Sequence, residues 1–306
     1  MKLDPITVVE VGPRDGLQYE SVFFPTQDKI ALINSLSQTG LKRIEVTSFV
    51  HPKVIPHLKD AMEVLRGMDK APGVIYSALV PNLKGCQRAL ETPVDELALF
   101  VSASQTHNQK NVGMSIEDSL SGFADIAREA LTAGKSLRGY VITAFGCPYE
   151  GAIALARVEQ ITEAYAELGV REVSLGDTTG MANPRRVSEV FEQLGREHRG
   201  IPLAAHFHNS RGLGLANAYA AYQTGCRVFD SSVGGLGGCP TAVGAMGNIP
   251  TEDLVNLMEE MGVSTGLDFT KLMESVQLVQ RVLGGELASY TCKQGRPNWG
   301  AVQPKI

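Results

Sequence analysis

With 306 residues, 43% of them hydrophobic and 20% charged, the chain has an ordinary globular composition, which excludes disorder as its dominant state. A net charge of −5 argues against a nucleic-acid partner, which selects for basic surfaces, but leaves room for a small anionic substrate. No apolar run nears the ~20 residues of a membrane helix, so no membrane partner is expected. Five cysteines, at 86, 147, 226, 239 and 292, form no C-x-x-C pair and are too few for a disulfide scaffold. With no signal-peptide pattern at the N-terminus and no targeting tripeptide at the C-terminus, the expected location is cytoplasmic.

Strand-like and helix-like runs alternate along the chain. The run ITVVEV (6–11) is β-branched and apolar, and residues 26–39 then repeat apolar positions at helical spacing as far as Gly40. Strand patterns follow at 43–49, 74–80 and 96–102, then a helix at 116–133 and a strand at 137–145. Helices at 152–168, 184–198 and 212–224 separate strands at 172–177, 202–208 and 227–233. The strands read as lacking strict in/out alternation, as expected for parallel strands covered on both faces. Helical pattern resumes at 251–261 and 268–284, and the tail from 287 reads as irregular. Eight βα units in about 250 residues is the count of a TIM barrel. The rival doubly wound sheet usually carries G-x-G-x-x-G after its first strand, and GPRDGLQ lacks it. The prediction is therefore an α/β chain: a TIM (β/α)8 barrel with additional C-terminal helices over 1–286 and an irregular tail over 287–306.

Reactive side chains concentrate where such a barrel places its chemistry, at the C-terminal strand ends. Arg14 and Asp15 follow the first strand, Glu45 lies in the second with Thr47 and Ser48 after it, and Tyr140 and Thr143 lie in the fifth. Asp177 and Thr178 end the sixth, His206 and His208 the seventh, and SSVGGLGGCP, with Cys239, follows the eighth, with Asn248 beyond it. Residues i and i+2 of a strand share a face, about 6.6 Å apart, so His206 and His208 could meet one metal ion or simply be hydrogen-bonded in a crowded strand end. Asp15 reads as a ligand or as a helix cap. Glu45 is expensive to bury alone, and pairing with Arg14 would free Asp15 for a metal. The candidate ligands are then Asp15, His206 and His208, with the Asn248 amide as a further one. Nitrogen and oxygen donors without thiolate suit Mg2+ or Mn2+ and leave zinc open. Cys239 reads as a small buried hydrophobe or as a thiol of lowered pKa that exchanges protons, and the glycines around it could cradle a phosphate. Asp177 reads as a site residue or a turn cap. His107, in 104–111, reads as a polar loop residue within reach of a substrate, and His51, His57 and His198 read as surface residues.

EVGPRDGLQ, IEVTSFV, PNLKG, RGYV, GCPYEG, SLGDT, H-x-H and VGGLGGCP…GN…TEDLV recur in order from about residue 5 to about 285. Together they resemble the 3-hydroxy-3-methylglutaryl-CoA lyase family. The glycine-rich cysteine segment is the most specific piece, whereas RDG-x-Q and H-x-H are shared with related synthases and aldolases. The resemblance implies a TIM barrel that uses Mg2+ or Mn2+ to cleave a 3-hydroxy-3-methylglutaryl thioester into acetyl-CoA and acetoacetate. By motif, Asp15, His206, His208 and Asn248 resemble the metal ligands, and Arg14 the arginine that polarises the thioester carbonyl and stabilises the enolate. Cys239 resembles the cysteine that moves a proton at C2. Glu45, Asp177 and Tyr140 resemble supporting residues, and Gln18 and Thr178 join Arg14 and Tyr140 as candidate substrate contacts. The implied partners are a CoA thioester and a second copy of the chain. Residues 104–111, Ser210, Arg211 and Thr241 depart from the commoner pattern, so a related branched 3-hydroxyacyl-CoA is an alternative substrate. A Claisen-type acyltransferase, a pyruvate-forming aldolase and a catalytically silent binding protein are the other readings weighed.

Overall fold

Eight parallel strands pair in sequence order and close into a barrel in the computed structural model, which describes residues 3–198, 200–237 and 247–298. In chain order the elements are β1 (Thr7–Glu10), α1 (Thr26–Ser37), β2 (Arg43–Ser48), α2 (Ala61–Gly67), β3 (Ile75–Leu79), α3 (Leu83–Leu90) and β4 (Glu96–Ser102). Then follow α4 (Gln105–Val112), α5 (Ile116–Thr132), β5 (Ser136–Ile142), α6 (Leu155–Glu167), β6 (Val173–Asp177), α7 (Pro184–Glu197), β7 (Leu203–Phe207), α8 (Gly214–Gln223) and β8 (Val228–Ser231). Three more helices, α9 (Thr251–Glu260), α10 (Phe269–Leu283) and α11 (Tyr290–Gln294), complete the described chain. Closure is made by β1 against β8, with Thr7 opposite Val228 and Glu10 opposite Ser231. A closed barrel removes the doubly wound sheet from consideration. Among the described residues, no helix is long and apolar enough to cross a membrane.

The strands do alternate, contrary to the sequence reading, and both faces are buried. Outward residues such as Ile44, Val46, Leu97, Leu99, Val141, Leu175, Phe207 and Phe229 join one large apolar cluster with the helices. That packing demands a glycine at 139, since a Cβ there would lie 2.7 Å from the Tyr165 ring of α6. Inward residues of the same strands are largely polar or charged: Arg43, Glu45, Arg138, Tyr140, Ser174, His206 and Asp230.

Three local expectations change. First, β5 stops at Ile142 and not at 145, because Thr143 takes a left-handed conformation (φ 57°) that no strand continues through. Second, the segment 104–111, read as a loop, contains helix α4. Ser104 Oγ caps it by accepting from His107 N at 3.1 Å, and Gly113 ends it in the left-handed region. His107 is consequently buried. Third, the tail is tied down beyond 287. Asp253 accepts from Ser289 Oγ at 2.7 Å, Tyr290 N at 3.0 Å and Thr291 N at 2.8 Å, which fixes the start of α11.

Candidate metal centre at the barrel mouth

After β1 the backbone makes a wide helical turn over Gly12–Gly16. The amides of Arg14, Asp15 and Gly16 all converge on the Val11 carbonyl, at 3.1, 2.7 and 3.3 Å. Such over-wide turns recur at functional sites. Here the turn sets Arg14 and Asp15 side by side on the rim. Arg14 donates from Nε to Glu45 Oε1 at 2.6 Å and from Nη1 to Asp15 Oδ1. Tyr140 donates its hydroxyl to Glu45 Oε2. The sequence-predicted Arg14–Glu45 pair is therefore present, and Tyr140 completes it from the far wall.

Asp15 is also held by amides. Gln18 Nε2 donates to its Oδ1 at 2.8 Å and Asn248 Nδ2 to its Oδ2 at 2.8 Å. On β7, His206 points inward. His208 lies one residue past the strand and is fastened by an isolated antiparallel bridge to Asn248. The two Nε2 atoms are 3.2 Å apart, and Asp15 Oδ2 is 3.7 Å from each. Burial raises the Asp15 carboxyl, but Arg14 and then the two histidines outweigh it and hold it down at about 2.

These donors fit a divalent cation on three grounds. Ligands at right angles around an ion with bonds of about 2.1 Å are separated by about 3 Å, close to the spacings observed. Asn248 Oδ1 is buried and has no hydrogen-bond partner among the described residues. The bonded network behind the mouth holds three guanidiniums, Arg14, Arg43 and Arg138, against five carboxylates, Asp15, Glu45, Glu96, Glu172 and Asp230. Its formal excess of two negative charges, buried in a barrel, is what a dication offsets. Asp15, His206 and His208 form a group whose ligand atoms all lie within 4.8 Å of one another.

Of the two readings of Asp177, the structure shows the turn cap. Its Oδ1 caps the turn after β6, accepting from Met181 N at 2.8 Å and Ala182 N at 3.0 Å, while Oδ2 is buried with no hydrogen-bond partner among the described residues. Burial pushes this carboxyl up to about 7. Thr178 Oγ1 accepts from Thr143 N at 3.4 Å, joining the ends of β5 and β6. Cys239 and Thr241 lie outside the described residues. The base of their loop is anchored, with Val233 N donating to Glu10 Oε1 at 2.9 Å and Gly234 N to both oxygens of Glu252 at 3.1 Å. Sequence reasoning missed Glu10, Glu252, Arg138, Ser174 and Asp230. For the last three the signal was available: a polar residue at every second position of an otherwise apolar strand.

The HMGL-like family profile matches residues 5–279. The chain belongs to the HMGL-like family. It is 47% identical to the hydroxymethylglutaryl-CoA lyase YngG of Bacillus subtilis, over 93% of this chain and 95% of that one. It is 44% identical to the human mitochondrial hydroxymethylglutaryl-CoA lyase, over 94% of this chain and 90% of that one. Among solved structures, an HMG-CoA lyase from Acinetobacter baumannii in complex with coenzyme A and 3-methylmalate superposes with a TM-score of 0.93 at 46% identity, covering 98% of each chain. The B. subtilis HMG-CoA lyase superposes with a TM-score of 0.91 at 46% identity, covering 95% of this chain and 98% of that one. The N-terminal domain of a putative aldolase from Bacteroides vulgatus, 16% identical with a TM-score of 0.66, shares the fold alone.

Proposed function

We propose that the chain is a divalent-metal-dependent carbon–carbon lyase that cleaves 3-hydroxy-3-methylglutaryl-CoA to acetyl-CoA and acetoacetate. The observation that carries this reading is the rim turn after β1. It sets a candidate ligand, Asp15, and a guanidinium, Arg14, on adjacent residues, so that one segment would address both ends of the breaking bond. The relative from A. baumannii, described with coenzyme A and 3-methylmalate, supports a CoA thioester as substrate.

Cleavage breaks the C2–C3 bond. The tertiary hydroxyl gives up its proton and becomes the ketone of acetoacetate, and the bonding pair passes to C2 as a thioester enolate, which takes a proton to become acetyl-CoA. Asp15, His206, His208 and Asn248 would hold Mg2+ or Mn2+, which when bound supplies Lewis acidity toward the substrate's hydroxyl and carboxylate oxygens. Arg14, steadied by Glu45 and Asp15, stabilises charge on the thioester oxygen where it develops. Tyr140 keeps Glu45 in place and Gln18 orients Asp15. Cys239, on the glycine-rich loop, is assigned the proton delivered to C2, by the family resemblance. Asp177, with one oxygen unpartnered among the described residues and its carboxyl raised to about 7 by burial, is suited to holding a proton beside the substrate.

The test is a product assay on metal-depleted protein given 3-hydroxy-3-methylglutaryl-CoA with and without Mg2+ or Mn2+, read by mass spectrometry. Metal-dependent appearance of both acetyl-CoA and acetoacetate is expected. Folded, metal-loaded protein that forms neither rules this substrate out and moves the search to other branched 3-hydroxyacyl thioesters.

A further inference from the structure

Arg138 is almost completely buried inside the barrel, and its hydrogen bonds go to Glu172, Tyr140 and Asp230. Its Nη2 donates to Asp230 Oδ1 at 2.7 Å and its Nη1 to Asp230 Oδ2 at 3.2 Å, a forked pair reaching from β5 to β8. The same Nη1 donates to the Tyr140 hydroxyl at 2.5 Å, and Nε donates to Glu172 at 2.8 Å. Two chains of contacts leave this one guanidinium. One runs Arg138–Asp230–His206, ending in the 3.2 Å contact between Asp230 Oδ2 and His206 Nδ1. The other runs Arg138–Tyr140–Glu45–Arg14.

The first chain fixes a tautomer. Asp230 Oδ2 accepts from Arg138, Ser174 Oγ (2.9 Å) and His206, and a carboxylate held by a guanidinium can only accept. The hydrogen between Asp230 and His206 therefore sits on Nδ1, which leaves the Nε2 lone pair facing His208 and Asp15. Carboxylates behind ligating histidines act in this way, and losing one weakens metal binding by about 10–100-fold. The second chain fixes the orientation of the guanidinium proposed to meet the thioester oxygen.

We infer that Arg138 is a positioning residue common to both halves of the site, holding the His206 tautomer through Asp230 and the Arg14 guanidinium through Tyr140 and Glu45. This rests on the lyase reading above and adds to it a residue that touches neither metal nor substrate. Because one side chain serves both arms, metal affinity and handling of the thioester are tied together in this chain.

The arms can be cut separately. In Asp230→Asn the amide must turn its NH2 either to His206 or to Arg138, so one contact is lost whichever way it lies. Mn2+ binding to the metal-free protein, followed by electron paramagnetic resonance, is expected to weaken at least tenfold. Tyr140→Phe is expected to bind Mn2+ within twofold of the wild type while its kcat/KM for the thioester falls. Arg138→Lys, which keeps the charge but loses the fork, is expected to show both defects. Should Asp230→Asn fail to fold, the 15N shifts of His206 in the wild-type metal-free protein decide the point, with hydrogen on Nδ1 expected. Hydrogen on Nε2, wild-type Mn2+ affinity in folded Asp230→Asn, or a defect in only one arm of Arg138→Lys would each overturn the inference. Wild-type protein that binds no Mn2+ would instead overturn the metal centre itself, and this inference with it.

Discussion

Along β5, Leu137 and Val141 pack outward among helices, whereas Arg138 and Tyr140 point into the barrel and find partners on β8 and β2. Both faces of the strand are buried, but they are specified differently. The outer face needs only apolar residues of suitable size, because dispersion and burial are non-directional. The inner face needs each charge to meet its counterpart at a given atom, because an unpaired ion there is costly. The contrast also shows in titration. Asp230 and Glu10 are equally buried. Burial lifts both, but Arg138 and then His206 drag Asp230 well below the usual carboxylate range. Glu10, supported only by hydrogen bonds from Thr251, Val233 and Gly12 and repelled by Glu252, rises to about 7. Burial alone does not decide whether a carboxyl is charged; the presence of a guanidinium beside it does.

The comparison breaks most visibly at the node. Arg138→Met leaves Asp230 buried without its cation and Glu172 with Arg43 alone, and urea unfolding is expected to show a loss of about 3–5 kcal/mol together with weaker Mn2+ binding. On the outer face, Leu99→Ala opens a cavity and is expected to cost about 2–5 kcal/mol in the same experiment, yet to leave Mn2+ affinity unchanged. If both substitutions changed metal affinity equally, the two faces would not be separable. Glu10 sharpens the titration contrast. The folded state keeps its proton up to about pH 7 and the unfolded chain releases it near 4.5, so between those values the folded state binds more protons and stability falls as pH rises. Glu10→Gln is expected to flatten this slope, which amounts to roughly 3 kcal/mol across the window, as read by unfolding at a series of pH values. The smallest effect is on the metal. Mn2+ at a hundred times its dissociation constant is expected to stabilise the protein by about 2.7 kcal/mol, and a thermal melt of His208→Ala should show little of that gain.

Much of the barrel is legible in the chain because most strands end on a polar rim, so counting apolar runs also locates Arg14, Asp15, Asp177, His206 and His208. Position 45 is legible for the opposite reason, as a lone carboxylate whose burial demands a partner. What escapes is pairing across the barrel. Arg138 and Asp230 are 92 residues apart, and nothing local to either announces the other. The alternation Arg43-Ile-Glu-Val and Glu172-Val-Ser-Leu was the available clue, hidden by reading the strands as uniformly buried. Helix α4 escapes because 105–112 has no apolar period. It is held instead by the Ser104 cap and by Asn108, which accepts from Ser102 N at 3.1 Å and donates to Ser119 Oγ at 2.9 Å.

The pairing of β1 with β8 sets a schedule for making the protein. Asp15 belongs to the first βα unit and His206 to the seventh, so the candidate metal centre joins residues made 191 positions apart. At about 5–20 residues per second, Asp15 waits on the order of 10–40 s on the ribosome before either histidine exists. Metal therefore cannot template the early fold. It can bind only once the sheet has come round to meet itself, and so its uptake reports, in a nascent or refolding chain, the moment at which the barrel shuts.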